Sequence, residues 1–367
     1  MVFDIKIHAR GLDPETMSQI YRISSIPAFE DGISIMPDAH AGAGCCIGFT
    51  AKIKDYICPN FVGVDIGCGV RGVFLGDLTI DYAALDAYLK HNIPLGMKHR
   101  LVTPNLKCAE IAVLEDAAKI QNDIGMTKHY AGKQLGTLGG GNHFIEIGES
   151  QAGKWLFVHS GSRNFGLTVA EHYQKIAASQ KLIAAPKGME VLDINGAGAD
   201  YLRDMRVAQR FAALNRTLMI RDIVDYLDAD IRYDIDCVHN FIADDNIIRK
   251  GAISAYYREP VLIPLNMRDG TVIGEGLGNS DYNFSAPHGA GRMFGRGQMK
   301  RRLASGELTV ESFQNEMSGI FTTTANANTI DESPFAYKPY EMIKDYLEET
   351  VSIIDVVKPK YNLKGGD

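Results

Sequence analysis

Residues 61–75 read FVGVDIGCGVRGVFL. Two short runs rich in β-branched and aromatic residues, 61–66 and 70–75, predict strands. Between them Asp65 and Cys68 stand three apart among Gly63, Gly67 and Gly69. Glycine admits tight turns and close backbone approach, so this loop can present a carboxylate and a thiol together. Such a pair suits a divalent cation; the plain alternative is a buried Asx-turn beside a packed cysteine. Outward from this loop, strand-like runs cover 45–53, 155–159 and 252–263. Helical signals cover 13–23, 80–91, 105–124, 168–183 and 198–228, and another amphipathic helix follows Pro339. The strands are short and do not alternate strictly with helices, which speaks against a doubly wound sheet. The pattern predicts a mixed α/β (α+β) fold in one compact catalytic domain over 1–367, its glycine-rich loops converging on a metal site.

The composition sets outer limits. Apolar residues make up 46% of the 367 and charged residues 23%, a globular balance that excludes disorder as the dominant state. No apolar run approaches the roughly 20 residues of a membrane helix. The start, MVFDIKIHARG, carries Asp4 and Lys6 where an export signal needs apolar residues, so a cytoplasmic location is expected. A net charge of −7 argues against a broad polyanion-binding face and leaves room for a local basic patch. In that setting Cys45, Cys46, Cys58, Cys108 and Cys237 are expected to be reduced, small and buried.

Several segments concentrate reactive side chains. GTLGGGNHFIE (136–146) offers Asn142, His143 and Glu146 behind a glycine run whose N–H groups can face an anion. HSGSR (159–163) follows an apolar strand and offers His159, Ser160, Ser162 and Arg163. His239 and Asn240 add a third imidazole and an amide. Three imidazoles, a thiolate and a carboxylate fill the coordination shells of one or two transition metals if they meet in space. SAPHGAGRMFGRGQMKRR (285–302) puts His288 before Arg292, Arg296, Lys300, Arg301 and Arg302, a nucleophile with cations that suits phosphate chemistry. Alone, that basic run reads as a solvated helix face. His8, His91, His99, His129 and His172 lack such company, and His40 beside Asp38 is ambiguous. Lys364, three residues from the end of the sequence, reads as an exposed lysine.

In chain order, MPDAHAGAG (36–44), VGVDIGCG, GTLGGGNHFIE, HSGSR, the HN at 239–240, RKGA (249–252), HGAGR (288–292) and Lys364 resemble the RtcB family of RNA-splicing ligases. The resemblance runs through nearly the whole chain. It implies joining of an RNA 3′-phosphate or 2′,3′-cyclic phosphate to a 5′-hydroxyl with GTP and manganese, in splicing or repair. Asp65, Cys68 and His143 resemble the ligands of one manganese ion. Cys68, His159 and His239 resemble those of a second, with the thiolate shared. His288 resembles the histidine that becomes guanylated. Positions matching the nucleotide site are Asn142, His143, Phe144, Ile145 and Glu146; His239 and Asn240; Pro264, Leu265, Asn266, Met267 and Thr271; His288, Gly289, Ala290 and Gly291; and Lys364. RNA ends and GTP are the implied partners, with an accessory protein left open and no membrane.

Four positions depart from the family pattern. Ala43 stands where a GKG turn has lysine, Ile248 where a histidine precedes RKGA, and Leu265–Asn266 where a PGSM loop has Gly-Ser. Two rival readings are a metal-dependent phosphoesterase acting on RNA ends and a non-catalytic RNA-binding accessory protein. His288 with Lys364 separates the first from a ligase, since a hydrolase needs no nucleotide pocket. The intact set of metal-type ligands speaks against the second.

Overall fold

The computed structural model describes residues 5–29, 32–126 and 131–366; Asp4 and His129 lie outside them. Its centre is an antiparallel seven-stranded sheet. The strands run in the order Pro260–Asn266, Gly270–Gly276, Val351–Lys364, Phe144–Ser150, Gly153–Ser160, Gly69–Gly76 and Tyr233–Val238. Its two edges meet. Leu262 N donates to Cys237 Sγ at 3.2 Å, so one thiol spans a gap that no backbone ladder closes. The curled interior is apolar, with Phe157 and Leu262 lying against Gly72.

A second sheet has five strands: Ile5–Ile7, Ile33–His40, Ile47–Lys52, Ile247–Lys250 and Asn240–Ile242. The long helix Ala197–Leu227 joins the two layers. Its predicted stripe is buried, Phe211, Leu214 and Leu218 against the smaller sheet's core. One turn on, Met219, Ile220 and Ile223 pack into the core beneath the seven-stranded sheet. The fold is thus mixed helix and sheet. No helix among the described residues is long and apolar enough to cross a membrane.

Local signals behave as the physics predicts at Pro14–Ile23, where Asp13 accepts from Glu15 N and Thr16 N and Pro14 opens the first turn. Three expectations need correction. The run 61–66 is no strand: Pro59–Phe61 forms a 3-10 turn, and the chain then coils through the glycine loop. The run 252–263 is two strands, Ala252–Ser254 and Pro260–Asn266, because Arg258 adopts a left-handed conformation between them. Cys108 is exposed at the start of Cys108–Asp123, whereas the other four structural cysteines are buried. The last strand, Val351–Lys364, is 14 residues long and has no counterpart in the expected elements.

Candidate functional site

Register brings the reactive segments together. Gly69 pairs with Ser160 on one side and Val238 on the other, so Cys68, His159 and His239 reach the same end of the sheet. Phe144 pairs with His159 and with Lys364, which adds His143 and the last lysine to that end. The loops there line a cavity of about 780 Å³.

At its floor Cys68 Sγ lies 3.4 Å from His143 Nε2 and 3.3 Å from His159 Nε2, all three residues buried. Asp65 Oδ2 is 3.0 Å from His143 Nε2, and its Oδ1 accepts from Ser162 N. A side chain at Gly161 would collide with that carboxylate, and Gly139, at φ +93°, leaves room for Arg163 beside His143. His159 Nδ1 donates to Asn142 O at 3.2 Å, which leaves the Nε2 lone pair facing the thiol. The ring of His239 is 5.2 Å from that of His159 and 4.9 Å from that of His288. Asp65, Cys68, His143, His159 and His239 therefore form one continuous group, with His288 next in line.

The electrostatics suit a divalent cation. Burial, then the charge of Asp65, pushes the Cys68 thiol well above its ordinary value. Burial, then His143, holds the His159 imidazole far below its own, and burial with His288 and His159 does the same to His239. Burial would raise the Asp65 carboxyl, but its hydrogen bond to His143 and that ring's charge bring it below the usual range. The neutral imidazoles of His159 and His239 and a thiol that a bound ion can ionise are what a divalent metal needs.

Beside the cluster, His288 Nδ1 lies 2.7 Å from Asp38 Oδ2. Asp38 is buried and its carboxylate accepts from Nδ1–H, so in the neutral ring the lone pair lies on Nε2. Across the cavity, Glu146 is buried on the sheet and accepts from Asn362 Nδ2 at 2.8 Å. Its Oε1 and the Asn362 Oδ1 are buried without a protein partner. Lys364 is 5% exposed, not free: Nζ lies 3.4 Å from Asn142 O, 3.6 Å from Glu332 and 4.8 Å from the Phe144 ring centre. Glu332 also pairs with Arg292 and Arg296 at 3.2 and 2.9 Å.

Most of the expected nucleotide residues line this cavity, among them Asn142, Phe144, Asn240, Pro264, Met267, Thr271 and Gly289 to Gly291. Ile145 does not. Side chains alternate along a strand, so Phe144 and Glu146 face the cavity while Ile145 is buried in the core behind the sheet. The departures have physical consequences. Ile248 is wholly buried in the smaller sheet's core. Ala43 offers its carbonyl to Lys250 Nζ at 2.7 Å. Asn266 spends its side chain on its own turn, Oδ1 accepting from Arg268 N and Asp269 N. Asp38, Glu332 and Asn362 escaped the sequence reading; only Asp38, beside His40 in MPDAHAG, carried a signal.

Burial raises the Glu146 carboxyl to about 7, against the opposing effects of the Asn362 hydrogen bond and Lys364. The unfolded chain releases this proton near 4.5, so between these values the folded protein holds more protons. Stability should therefore fall as pH rises from 4.5 to 7, by roughly 2–4 kcal/mol in all. Glu146→Gln should remove that fall. Denaturant unfolding between pH 5 and 8 measures it, and parallel pH profiles for the two proteins would refute the assignment.

A family model described as tRNA-splicing ligase RtcB matches residues 19–365. The chain is 29% identical to "RNA-splicing ligase RtcB" of Escherichia coli K12 over 98% of its length and 97% of the relative's. It is 26% identical to "RNA-splicing ligase RtcB2" of another E. coli strain, covering 99% and 95%. To "tRNA-splicing ligase RtcB" of Aeropyrum pernix it is 27% identical, covering 90% and 86%.

Proposed function

The chain belongs to the RtcB family of tRNA-splicing ligases, a family of RNA-joining enzymes, and on that premise we propose that it seals RNA 3′-phosphate or 2′,3′-cyclic phosphate ends to 5′-hydroxyl ends with GTP and manganese. It does so as a single catalytic domain in the cytoplasm, in splicing or repair. The observation that carries the reading is a lone-pair-bearing imidazole, His288 held by Asp38, 4.9 Å from the nearest ring of a thiolate–imidazole–carboxylate cluster.

In the proposed sequence His288 Nε2 attacks the α-phosphorus of GTP, the bond to the β-phosphate oxygen breaks, and pyrophosphate leaves. A 2′,3′-cyclic end is first opened by water, which breaks the P–O2′ bond and leaves a 3′-phosphate; the guanylyl group then passes to the RNA 3′-phosphate, which frees the imidazole. The 5′-hydroxyl attacks that phosphorus and displaces GMP, closing the phosphodiester. Divalent ions held by Asp65, Cys68 and His143, and by Cys68, His159 and His239, would neutralise phosphate oxygens as charge shifts. The donor set fits such ions; manganese over zinc follows from the family, since thiolate and imidazole favour zinc.

The nucleotide assignment has its own support. Two buried acceptors without partners, Glu146 Oε1 and Asn362 Oδ1, suit a base edge that presents N–H donors. Guanine offers adjacent N–H groups and a carbonyl for the Lys364 ammonium; adenine offers a single amino group. A hydrolase would have no use for either feature. Incubation with 3′-phosphate and 5′-hydroxyl RNA strands, GTP and manganese should yield a joined strand; cleavage or inert binding under every nucleoside triphosphate would overturn the reading.

Lys364 supplies the next expectation. Losing one charged hydrogen bond should cost about 1.5–3 kcal/mol, or roughly 10- to 150-fold in guanylation. Lys364→Ala and deletion of 364–367 should both show this while metal content holds, because a protonated amine is no ligand. Guanylation at the wild-type rate in both variants would return the lysine to the status of a bystander.

RNA recognition is read from the helix Arg296–Ala304, which carries Arg296, Lys300, Arg301 and Arg302 and no acid. Arg296 pairs with Asp331 and Glu332, and Arg302 with Glu307. Among the described residues Lys300 and Arg301 have no acidic partner, and Arg301 borders the cavity. They are therefore free to meet phosphates. Each phosphate contact on a single strand steepens the salt dependence by about 0.7 in log–log slope. Replacing both residues by alanine should flatten the slope of RNA binding by about 1–1.5. An unchanged slope would exclude this helix from the RNA path.

A further inference from the structure

Arg216 projects from the middle of the long helix and is fully buried. Its Nε and Nη2 form a two-pronged pair with Asp236 at 2.8 and 2.9 Å. Nη1 donates to Gly67 O at 2.9 Å and to Ser160 O at 2.8 Å. Gly67 immediately precedes Cys68, Ser160 immediately follows His159, and Asp236, on the strand Tyr233–Val238, lies three residues before His239. One guanidinium thus ties together the three segments that carry Cys68, His159 and His239. We infer that Arg216 is the positioning residue of the second metal position, an inference that rests on the two-ion reading above.

The chemistry of the side chain supports this. The guanidinium is planar and its N–H directions are fixed, so its bonds set angles as well as distances between the partners. The Gly67 carbonyl lies in the peptide plane from which the Cys68 Cα–Cβ bond departs, and the Ser160 carbonyl holds the chain one residue beyond His159. A lysine has one nitrogen and cannot hold Asp236 and both carbonyls in that geometry. Net stability is a weaker explanation, because desolvation of a buried ion pair offsets much of its attraction. Partners behind metal ligands characteristically set affinity, by about 10- to 100-fold on mutation. The adjacent Asn215 treats the His143 loop in a similar way, its Oδ1 accepting from Thr137 N and its Nδ2 donating to Thr137 O and Ser160 Oγ at 3.0 Å.

A matched control is built into the same strands. Arg71 joins Gly69–Gly76 to Tyr233–Val238 through Asp234, with Nη1 donating to Thr217, and touches no carbonyl beside a ligand. The experiment titrates full-length wild type, Arg216→Lys and Arg71→Lys with Mn²⁺ by equilibrium dialysis. A parallel titration with Co²⁺ follows the thiolate charge-transfer and d–d absorption. Arg216→Lys should weaken one of two ions about 10- to 100-fold and alter the Co²⁺ spectrum, while Arg71→Lys keeps both ions and the spectrum. Asp236→Asn, which retains the side chain's size and lies at a partly exposed position, should weaken the same ion even if Arg216→Lys folds poorly. Wild-type affinities and spectra in Arg216→Lys and Asp236→Asn would overturn the inference. So would an equal loss of both ions shared by Arg71→Lys, which would assign Arg216 to general stability. A wild-type protein that binds a single ion would instead overturn the two-ion reading beneath it.

Discussion

His288→Ala is expected to leave no guanylate on the protein after incubation with α-labelled GTP and manganese followed by a denaturing gel. In the wild type the label should survive denaturation and be released by acid, as a phosphoramidate would be. The partner mutation tests the tautomer. Asp38 Oδ2 accepts from His288 Nδ1, which leaves Nε2 unprotonated and able to attack phosphorus. In Asp38→Asn the amide can donate to Nδ1 instead, driving the proton to Nε2, where it blocks the nucleophile. Where a buried aspartate fixes a catalytic histidine in this way, the same change costs about 10⁴ in rate. The labelling rate of Asp38→Asn should accordingly fall by about 10³ to 10⁴ with metal content intact. Label retained in His288→Ala, or mapped to a lysine, would sink the histidine mechanism. Rapid labelling in Asp38→Asn would reduce Asp38 to a packing residue.

The contrast between His288 and Asp38 marks what the sequence made legible. His288 announced itself through local company, the glycines and arginines that follow it, as did Asp65 with Cys68. Glycine-rich loops carry their function in adjacent residues, so a linear reading reaches them. Asp38 meets His288 across 250 positions, and only the pairing of Ile33–His40 within its sheet brings it there. The long helices were legible for the same local reason, since Val207, Phe211, Leu214 and Leu218 repeat at helical spacing. The last strand was not. Val351–Lys364 is largely buried at its end yet carries Lys358, Lys360 and Lys364 among its apolar residues, and its place between two strands distant in sequence has no local signature. Lys364 therefore read as an exposed lysine, whereas register with Phe144 docks it beside Glu332. Glu332 itself, three contacts deep in cations, sits in a 3-10 turn with nothing nearby in sequence to mark it.

Cys68→Ala is expected to lose more bound metal than any other single replacement at the site. Its sulfur is 3.4 Å from one imidazole and 3.3 Å from another, so a single thiolate serves both proposed ions. Content should drop from about two ions per chain to below one, read by plasma spectrometry on dialysed protein. Cys68→Ser should fall nearly as far, because a neutral hydroxyl is a poor ligand for these ions. The wholly buried Cys45 is the control, since Cys45→Ala should cost about 1 kcal/mol of stability and leave metal untouched. Acidity supplies a second readout. Burial and the Asp65 charge hold the Cys68 thiol protonated at neutral pH, so an ion must displace that proton. Metal affinity should then rise with pH by up to about tenfold per unit, and calorimetry in buffers of different ionisation heat should count about one proton released. In Cys68→Ala that proton should vanish from the count, because burial already holds His159 and His239 neutral. Unchanged metal content and an unchanged proton count in this variant would take Cys68 out of the site, and the shared-thiolate arrangement with it.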